Sequence, residues 1–299
     1  MSWKSLAWSA AAVVLLLTLA TPLNVITVFL MMTPFVVLYT MSDLKSFVLH
    51  LLPIGIVVFL LSGALGPVLV TLAFFFLVPA IAMGHLYKRG SSARAAVTAG
   101  FVIILAQLLL ELALFSVLFN IDMKAELTAT LTANLKQFET ANLFQAGWAA
   151  ETASAFSDSL FSMLPMLLLA STFLFTIITH GLSRYALRSV PFDAPALPKA
   201  KTWRLPKSLV LYFVIAIIAV SVMSEESSGY WRIAISNLVP ILELAFTIQA
   251  IGFVFFLTDL KKWPRAISLL LCLPVLFIPH MFIIGLLDTA FPIRKYFEK

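Results

Sequence analysis

The chain has 299 residues, of which 62% are apolar and only 11% charged, whereas an ordinary soluble domain carries about a quarter charged residues. So few charges cannot cover a water-facing surface. Apolar runs of about 16 to 24 residues recur along the chain, the length that crosses a hydrocarbon core of roughly 30 Å as α-helix; the short alternating segments of a membrane β-barrel do not occur. The net charge of +6 lies in loops between those runs, where insertion rules and lipid headgroups account for it, so membrane lipids rather than nucleic acid are the expected contacts. A lone cysteine, Cys272, excludes an intramolecular disulfide and a zinc cluster.

These features predict an all-α polytopic membrane helix bundle of about nine transmembrane helices, eight being the alternative count, in a single integral membrane domain, 1–299. Lys4 followed by Leu6 to Leu19 has the form of a cleavable signal, but a second apolar run begins directly after Pro22 and Asn24, which favours a retained first span. Residues 5–40 are too long for one helix and are broken at Pro22, since proline removes a backbone donor and disfavours helix in the residue before it. Spans at Phe47 to Leu61 and Pro67 to Met83, parted by Ser62-Gly63, complete an N-terminal four-span part, 1–83. The fifth runs from Ala96 to Leu118 and the sixth from Ser162 to His180; Ser208 to Met223, Ser236 to Leu257 and Ala266 to Leu287 close the series.

Lysine and arginine in short loops mark the cytoplasmic side. Segment 84–95 carries Lys88, Arg89 and Arg94; 181–207 carries Arg184, Arg188, Lys199, Lys201, Arg204 and Lys207 against Asp193; Lys261, Lys262 and Arg265 form a third basic loop. Segments 120–158, with two lysines against five carboxylates, and 224–232, with Glu225 and Glu226 against Arg232, are acidic. A cytoplasmic N-terminus in a bacterial inner membrane satisfies all five segments. Nine spans then place Arg294, Lys295 and Lys299 outside, against the rule, which is the reason for the alternative count. Pro195, Pro198 and Pro206 mark 181–207 as a cytoplasmic linker. In 120–158, an extracytoplasmic amphipathic segment, Met123, Leu127, Leu131, Leu135 and Phe138 recur at helical spacing. That helix, about 121–145, can lie in the interface or cover the bundle.

No Gly-rich phosphate loop, His-Glu-x-x-His pair, paired-cysteine motif or nucleophile elbow is present. Neither an enzyme nor a cofactor or metal requirement is expected, and His50, His85, His180 and His280 lie on different segments. What remains are ionisable groups inside spans, each costing about 2.5–3.5 kcal/mol at a helix centre and therefore usually turned to a bundle interior or cavity. On the topology above, Glu111 lies roughly 6 Å outward of its span's midpoint at 1.5 Å per residue, Glu243 at similar depth, and His280 slightly beyond the centre of the ninth span. Gln107 is one turn from Glu111, while Asn237 and Gln249 flank Glu243. Glu111, Gln107, Glu243, Gln249 and His280 are accordingly the candidate small-molecule-binding residues; mutual hydrogen bonding across helices is the structural alternative. Ala7 and Ala11, with Ser9 and Ala12 nearby, permit close helix approach, read as internal packing or as a partner-docking face. Trp203, Trp231 and Trp263 near span ends suit interfacial anchoring.

Several short elements occur together along the chain: Gly84-His85-Leu86-Tyr87-Lys88-Arg89-Gly90, Thr202-Trp203-Arg204-Leu205-Pro206, Asn237-Leu238, Ile248-Gln249-Ala250, and Gly285-Leu286-Leu287-Asp288 with Arg294-Lys295. As a set they resemble the YybS-like family of predicted bacterial membrane proteins, a family of unknown function. This chain has Ala250 where the family tends to show glycine. The family is distantly similar, mainly in its N-terminal spans, to the substrate-binding S-components of energy-coupling-factor importers. That resemblance implies a small-molecule site open to the outside beneath loops, and an alanine-rich first helix docked on a membrane coupling protein working with an ATPase. The expected function is a small-molecule binding or transport subunit. The alternative is a membrane scaffold or regulatory protein whose basic loops at 181–207 and 258–265 recruit a cytoplasmic partner; an unaided proton-coupled carrier is a third reading.

Overall fold

The computed structural model describes residues 2–117, 121–223 and 230–298. Its helices in chain order are α1 Trp3–Thr18, α2 Asn24–Thr27, α3 Met32–Met41, α4 Leu44–Leu61, α5 Gly66–Lys88, α6 Ala93–Val117, α7 Met123–Thr140, α8 Trp148–Ser162, α9 Leu164–Leu187, α10 Ser208–Val222, α11 Tyr230–Leu260, α12 Arg265–Phe277, α13 Phe282–Ala290 and α14 Arg294–Phe297, and no strand occurs among the described residues. The end of the expected fifth span, Leu118, and the acidic pair Glu225 and Glu226 lie outside the described residues.

Each expected span falls largely on helix among the described residues, but the count of nine is not confirmed. Among the described residues six stretches are long and apolar enough to cross a membrane, α2 and α3 joining through a 3₁₀ turn as Asn24–Met41, and α12 with α13 adds a seventh only if that bent pair is one span. Helices α1 and α10, with 16 and 15 residues, are shorter than the roughly 20 a full crossing requires. The expected ninth span is not continuous: α12 and α13 meet at a 103° bend. Pro279 removes a donor and drives Ile278 to φ −88°, ψ 123°, out of helical space. His280 follows at φ +67°, so this residue marks the break rather than a position within a span.

The chain divides into two compact units, Met1–Leu127 with Leu168–Leu197, and Thr128–Leu167 with Pro198–Lys299. In the first, α1, α3, α4, α5 and α6 pack around buried Phe35, Phe47, Met83, Tyr87 and Ile104. Helix α5 runs five residues past its expected end at Met83 and stops where Gly90, at φ +68°, lets the Gly90 and Ser91 amides reach the Tyr87 and Leu86 carbonyls. A side chain with a Cβ resists that left-handed conformation, so glycine is the natural stop signal. Ser92 then caps α6 by accepting from the Ala95 amide. Gly84 allows α3 to approach α5, since a Cβ there would come within 2.8 Å of the Tyr39 ring.

In the second unit α11 is the central element, with α10, α12 and α13 against it. Gly285 lets α13 lie directly on the α11 backbone at Phe246 and Ala250. Within 120–158 the amphipathic stripe appears as α7, where Leu127, Leu131 and Leu135 are half-buried, and a second helix, α8, follows that the periodicity did not suggest. Glu139 accepts from the Ala149 amide in the first turn of α8 at 2.7 Å, and Phe144 stacks on Trp148. Small residues Ala149, Ala153 and Ser157, spaced by fours, form the buried face of α8.

Candidate functional site

The strongest polar constellation in the second unit is built on Asp288 and Arg294, outside the expected ligand set, with Gln249 from within it. Asp288 and Arg294 are each 1% exposed. Arg294 Nε donates to Asp288 Oδ1 at 2.9 Å and Nη2 to Oδ2 at 2.5 Å, a forked carboxylate pair. The same guanidinium donates through Nη1 to the Lys201 carbonyl at 2.6 Å and through Nη2 to the Trp203 carbonyl at 3.0 Å. Gln249 completes the arrangement: its Nε2 donates to Asp288 Oδ2 at 2.5 Å and to the Trp203 carbonyl at 3.2 Å, and its Oε1 accepts the Leu205 amide at 3.1 Å. Phe256 lies under the guanidinium, 4.9 Å from ring centroid to Cζ.

The physical reason for so much buried polarity is the peptide it holds. Gln249 stands 11 residues before the end of α11, about 16 Å along the helix. Residues 200–205, a 3₁₀ turn at Ala200–Thr202 followed by chain without regular structure, therefore run beside the interior of a membrane helix. Such backbone is tolerated at membrane depth only where protein satisfies its amides and carbonyls. Gln249 and Arg294 supply those bonds, and Asp288 neutralises the charge that Arg294 brings. The second half of the linker 181–207 is thus bound chain, with Trp203 Nε1 also donating to the Pro198 carbonyl. The neighbouring Lys201–Asp259 pair, 2.6 Å apart and exposed, contributes little by comparison.

The expected ligand residues have separate fates. Gln249 is fully used by the clamp and offers nothing to a ligand. Glu243 is half-buried, and six residues along a helix turn it about 240° from Gln249, so the two do not share a face. His280 is exposed at the α12–α13 break. Asn237 is structural, donating from Nδ2 to the Ser162 carbonyl at 2.7 Å and accepting the Met166 amide at 3.3 Å, which joins the end of α8 to the start of α9. In the first unit Gln107 and Glu111 do share a face of α6. Gln107 Nε2 donates to the Phe75 carbonyl at 3.1 Å, but its Oε1 is buried with no donor among the described residues. Glu111 is exposed and makes no ion pair or hydrogen bond among the described residues. On α1, Ala7 is exposed and Ala11 half-buried, whereas Ser5, Ala12 and Leu16 face inward.

A second buried polar contact joins α5 to α9. The Tyr87 hydroxyl lies 2.6 Å from His180 Nδ1, a hydrogen bond whose direction follows the imidazole tautomer. Around it α9 turns Thr172, Thr176, Thr179 and Ser183 inward, spaced four, three and four apart. These small side chains permit close approach, as at Gly100, where a Cβ would come within 3.1 Å of Thr176. Tyr87→Phe will strand the imidazole nitrogen and lower stability by about 1–3 kcal/mol, read as an earlier melting midpoint of the detergent-solubilised protein; an unchanged midpoint would mean that the bond carries no net stability. Among the described residues no three of His, Cys, Asp and Glu come together as a metal cage requires.

The family model described as "Predicted membrane protein (DUF2232)" matches residues 9–289. The chain belongs to that family. It is 23% identical over 298 residues to "Uncharacterized protein YybS" of Bacillus subtilis (strain 168), covering 96% of this chain and 94% of the relative. No solved structure matches the chain. The family gives the coarse statement, an integral membrane protein, in agreement with the apolar helices. Elements behind the resemblance also gather in space: Trp203, Leu205, Gln249, Asp288 and Arg294 form the clamp of this DUF2232 protein, and Tyr87 to Gly90 end α5.

Proposed function

We propose that this DUF2232 protein is the binding subunit of a bacterial inner-membrane carrier, taking up a small molecule that is cationic or rich in hydrogen-bond donors. The observation that carries the reading is the acceptor pair on α6. Gln107 Oε1, buried without a donor among the described residues, and Glu111, one turn away, lie together on an apolar helix. Intramembrane carboxylates are costly and ordinarily face a partner or cavity, and two acceptors without donors are complementary to an ammonium or to several N–H groups. Movement of that ligand requires a partner, because the chain has no nucleotide-binding motif. The exposed face of α1 at Ala7 suits docking on a membrane coupling protein allied to an ATPase, as in energy-coupling-factor importers. A cytoplasmic N-terminus is supported within the first unit, where Lys4 donates to the Ser189 carbonyl and Lys88 to the Ser42 carbonyl, so charged ends of α1, α5 and α9 meet main-chain acceptors at loop positions.

Native mass spectrometry of the protein released from nanodiscs tests the proposal. A discrete small-molecule adduct is expected in the wild type, falling at least tenfold in Glu111→Gln while the melting midpoint is retained. An adduct that survives the substitution removes Glu111 from the site. A stoichiometric protein partner with no small molecule would favour the scaffold reading instead.

A further inference from the structure

The first unit has an open cleft of about 590 Å³ between α1, α3 and the end of α9, within the 300–1,000 Å³ typical of ligand sites. Its walls are graded. Leu15, Leu30 and Leu182 line it with apolar surface, Thr33 adds a hydroxyl, and Tyr185 and Arg188 stand at the α9 end. Leu182 lies about 7–8 Å along α9 from its last residue, Leu187, and Arg188 follows in the turn beyond, so charged and apolar parts are separated by a distance that an amphiphile spans.

Two observations point to an occupant. Thr33 is 5% exposed and its Oγ1 lacks a hydrogen-bond partner among the described residues; Thr172, Thr179 and Ser183 of α9 share that state, but of these Thr33 alone lines the cleft. A small turn of its side chain would bring that unsatisfied donor to the cleft wall. Arg188 is exposed and makes no ion pair or side-chain hydrogen bond among the described residues, whereas nearby Arg184 donates to the Ala194 carbonyl. Lys4, held at the Ser189 carbonyl, adds a second positive charge at the same end. The cleft is therefore lined with apolar surface, has a neutral donor at its wall, and ends in unneutralised positive charge.

We propose that this cleft is a specific site for an anionic glycerophospholipid from the leaflet on the basic-loop side. The phosphate accepts from the Arg188 guanidinium, whose fork matches phosphate oxygens, and from the Tyr185 hydroxyl. An ester carbonyl accepts from Thr33 Oγ1, and one acyl chain lies over Leu15, Leu30 and Leu182. The lipid would join α1 to the end of α9, and it uses none of the residues assigned to the carrier ligand.

The test is native mass spectrometry of the full chain from nanodiscs containing equal phosphatidylglycerol and phosphatidylcholine. The wild type should retain a single phosphatidylglycerol, with phosphatidylcholine at least fivefold less. Arg188→Gln, a change at an exposed position without a folded-state partner, should reduce that adduct at least fivefold, and the near-isosteric Thr33→Val by a smaller factor. Arg89→Gln, the same charge change at the α5 end, should leave it intact. Equal retention of both lipids, or equal loss in Arg188→Gln and Arg89→Gln, would show a general charge effect and overturn the site.

Discussion

Replacing Asp288 with alanine will produce the largest loss of stability of any single side-chain truncation in the second unit, and will open residues 200–205 to protease. Arg294 is 1% exposed and its charge is neutralised by Asp288 through contacts of 2.5 to 3.1 Å. Removing one partner of a buried ion pair leaves an uncompensated buried charge, at a cost of about 3–5 kcal/mol. The effect then spreads along the chain, because the same guanidinium holds the Lys201 and Trp203 carbonyls. Trypsin cleavage after Arg204 and Lys207 provides the local readout and the melting midpoint the global one. The double substitution Asp288→Ala with Arg294→Met should recover part of the loss, since an apolar pair carries no stranded charge. If Asp288→Ala melts with the wild type and resists trypsin equally, the clamp is not what holds the segment.

Gly285→Ala should be nearly as severe, for a steric reason. A methyl group at that position would overlap the Phe246 carbonyl and come within 2.7 Å of the Ala250 nitrogen, both backbone atoms of α11. Backbone in a helix cannot turn aside as a side chain can, so α13 must move off α11. Overpacking of this kind costs about 1–3 kcal/mol and sometimes more, and here it also draws Asp288, three residues along α13, away from Gln249. Two other glycines set the scale. At Gly84 the obstacle is the Tyr39 ring, a side chain that can shift, so Gly84→Ala should cost less; at Gly55 nothing lies within 4 Å, and alanine there should be neutral or stabilising by up to about 1 kcal/mol from helix propensity. Melting midpoints of the three variants should therefore rank Gly285→Ala lowest, then Gly84→Ala, then Gly55→Ala. A Gly285→Ala midpoint that is not the lowest of the three would contradict the close approach of α13 to α11.

Much of the architecture was legible in the chain because it follows from local physics. Low charge and apolar runs of spanning length identify membrane helices whatever their neighbours, and Pro22, Ser62-Gly63 and Gly90 punctuate them through backbone geometry alone. The break of the last span is legible too: Pro279 carries the same signal as Pro22, although hydropathy alone predicts a straight ninth helix where the chain bends by 103°. The site was less accessible. Position in the sequence places Gln249 and His280 as polar residues at membrane depth, but depth does not say what a side chain faces. Gln249 meets chain 44 to 46 residues away and a carboxylate 39 residues on, and only folding brings them together. Asp288 and Arg294 look like ordinary interfacial charges when read in order, near the end of an apolar run. Composition and periodicity by themselves determined that this is a helical membrane protein, because the cost of exposing polar backbone to lipid leaves few alternatives. Tertiary structure alone decided that the proline-bearing linker folds back onto α11, that a buried Asp–Arg–Gln set holds it there, and that Gln107 and Arg188 are left with unmet bonding capacity, because partners for polar groups are assigned by contacts between distant segments.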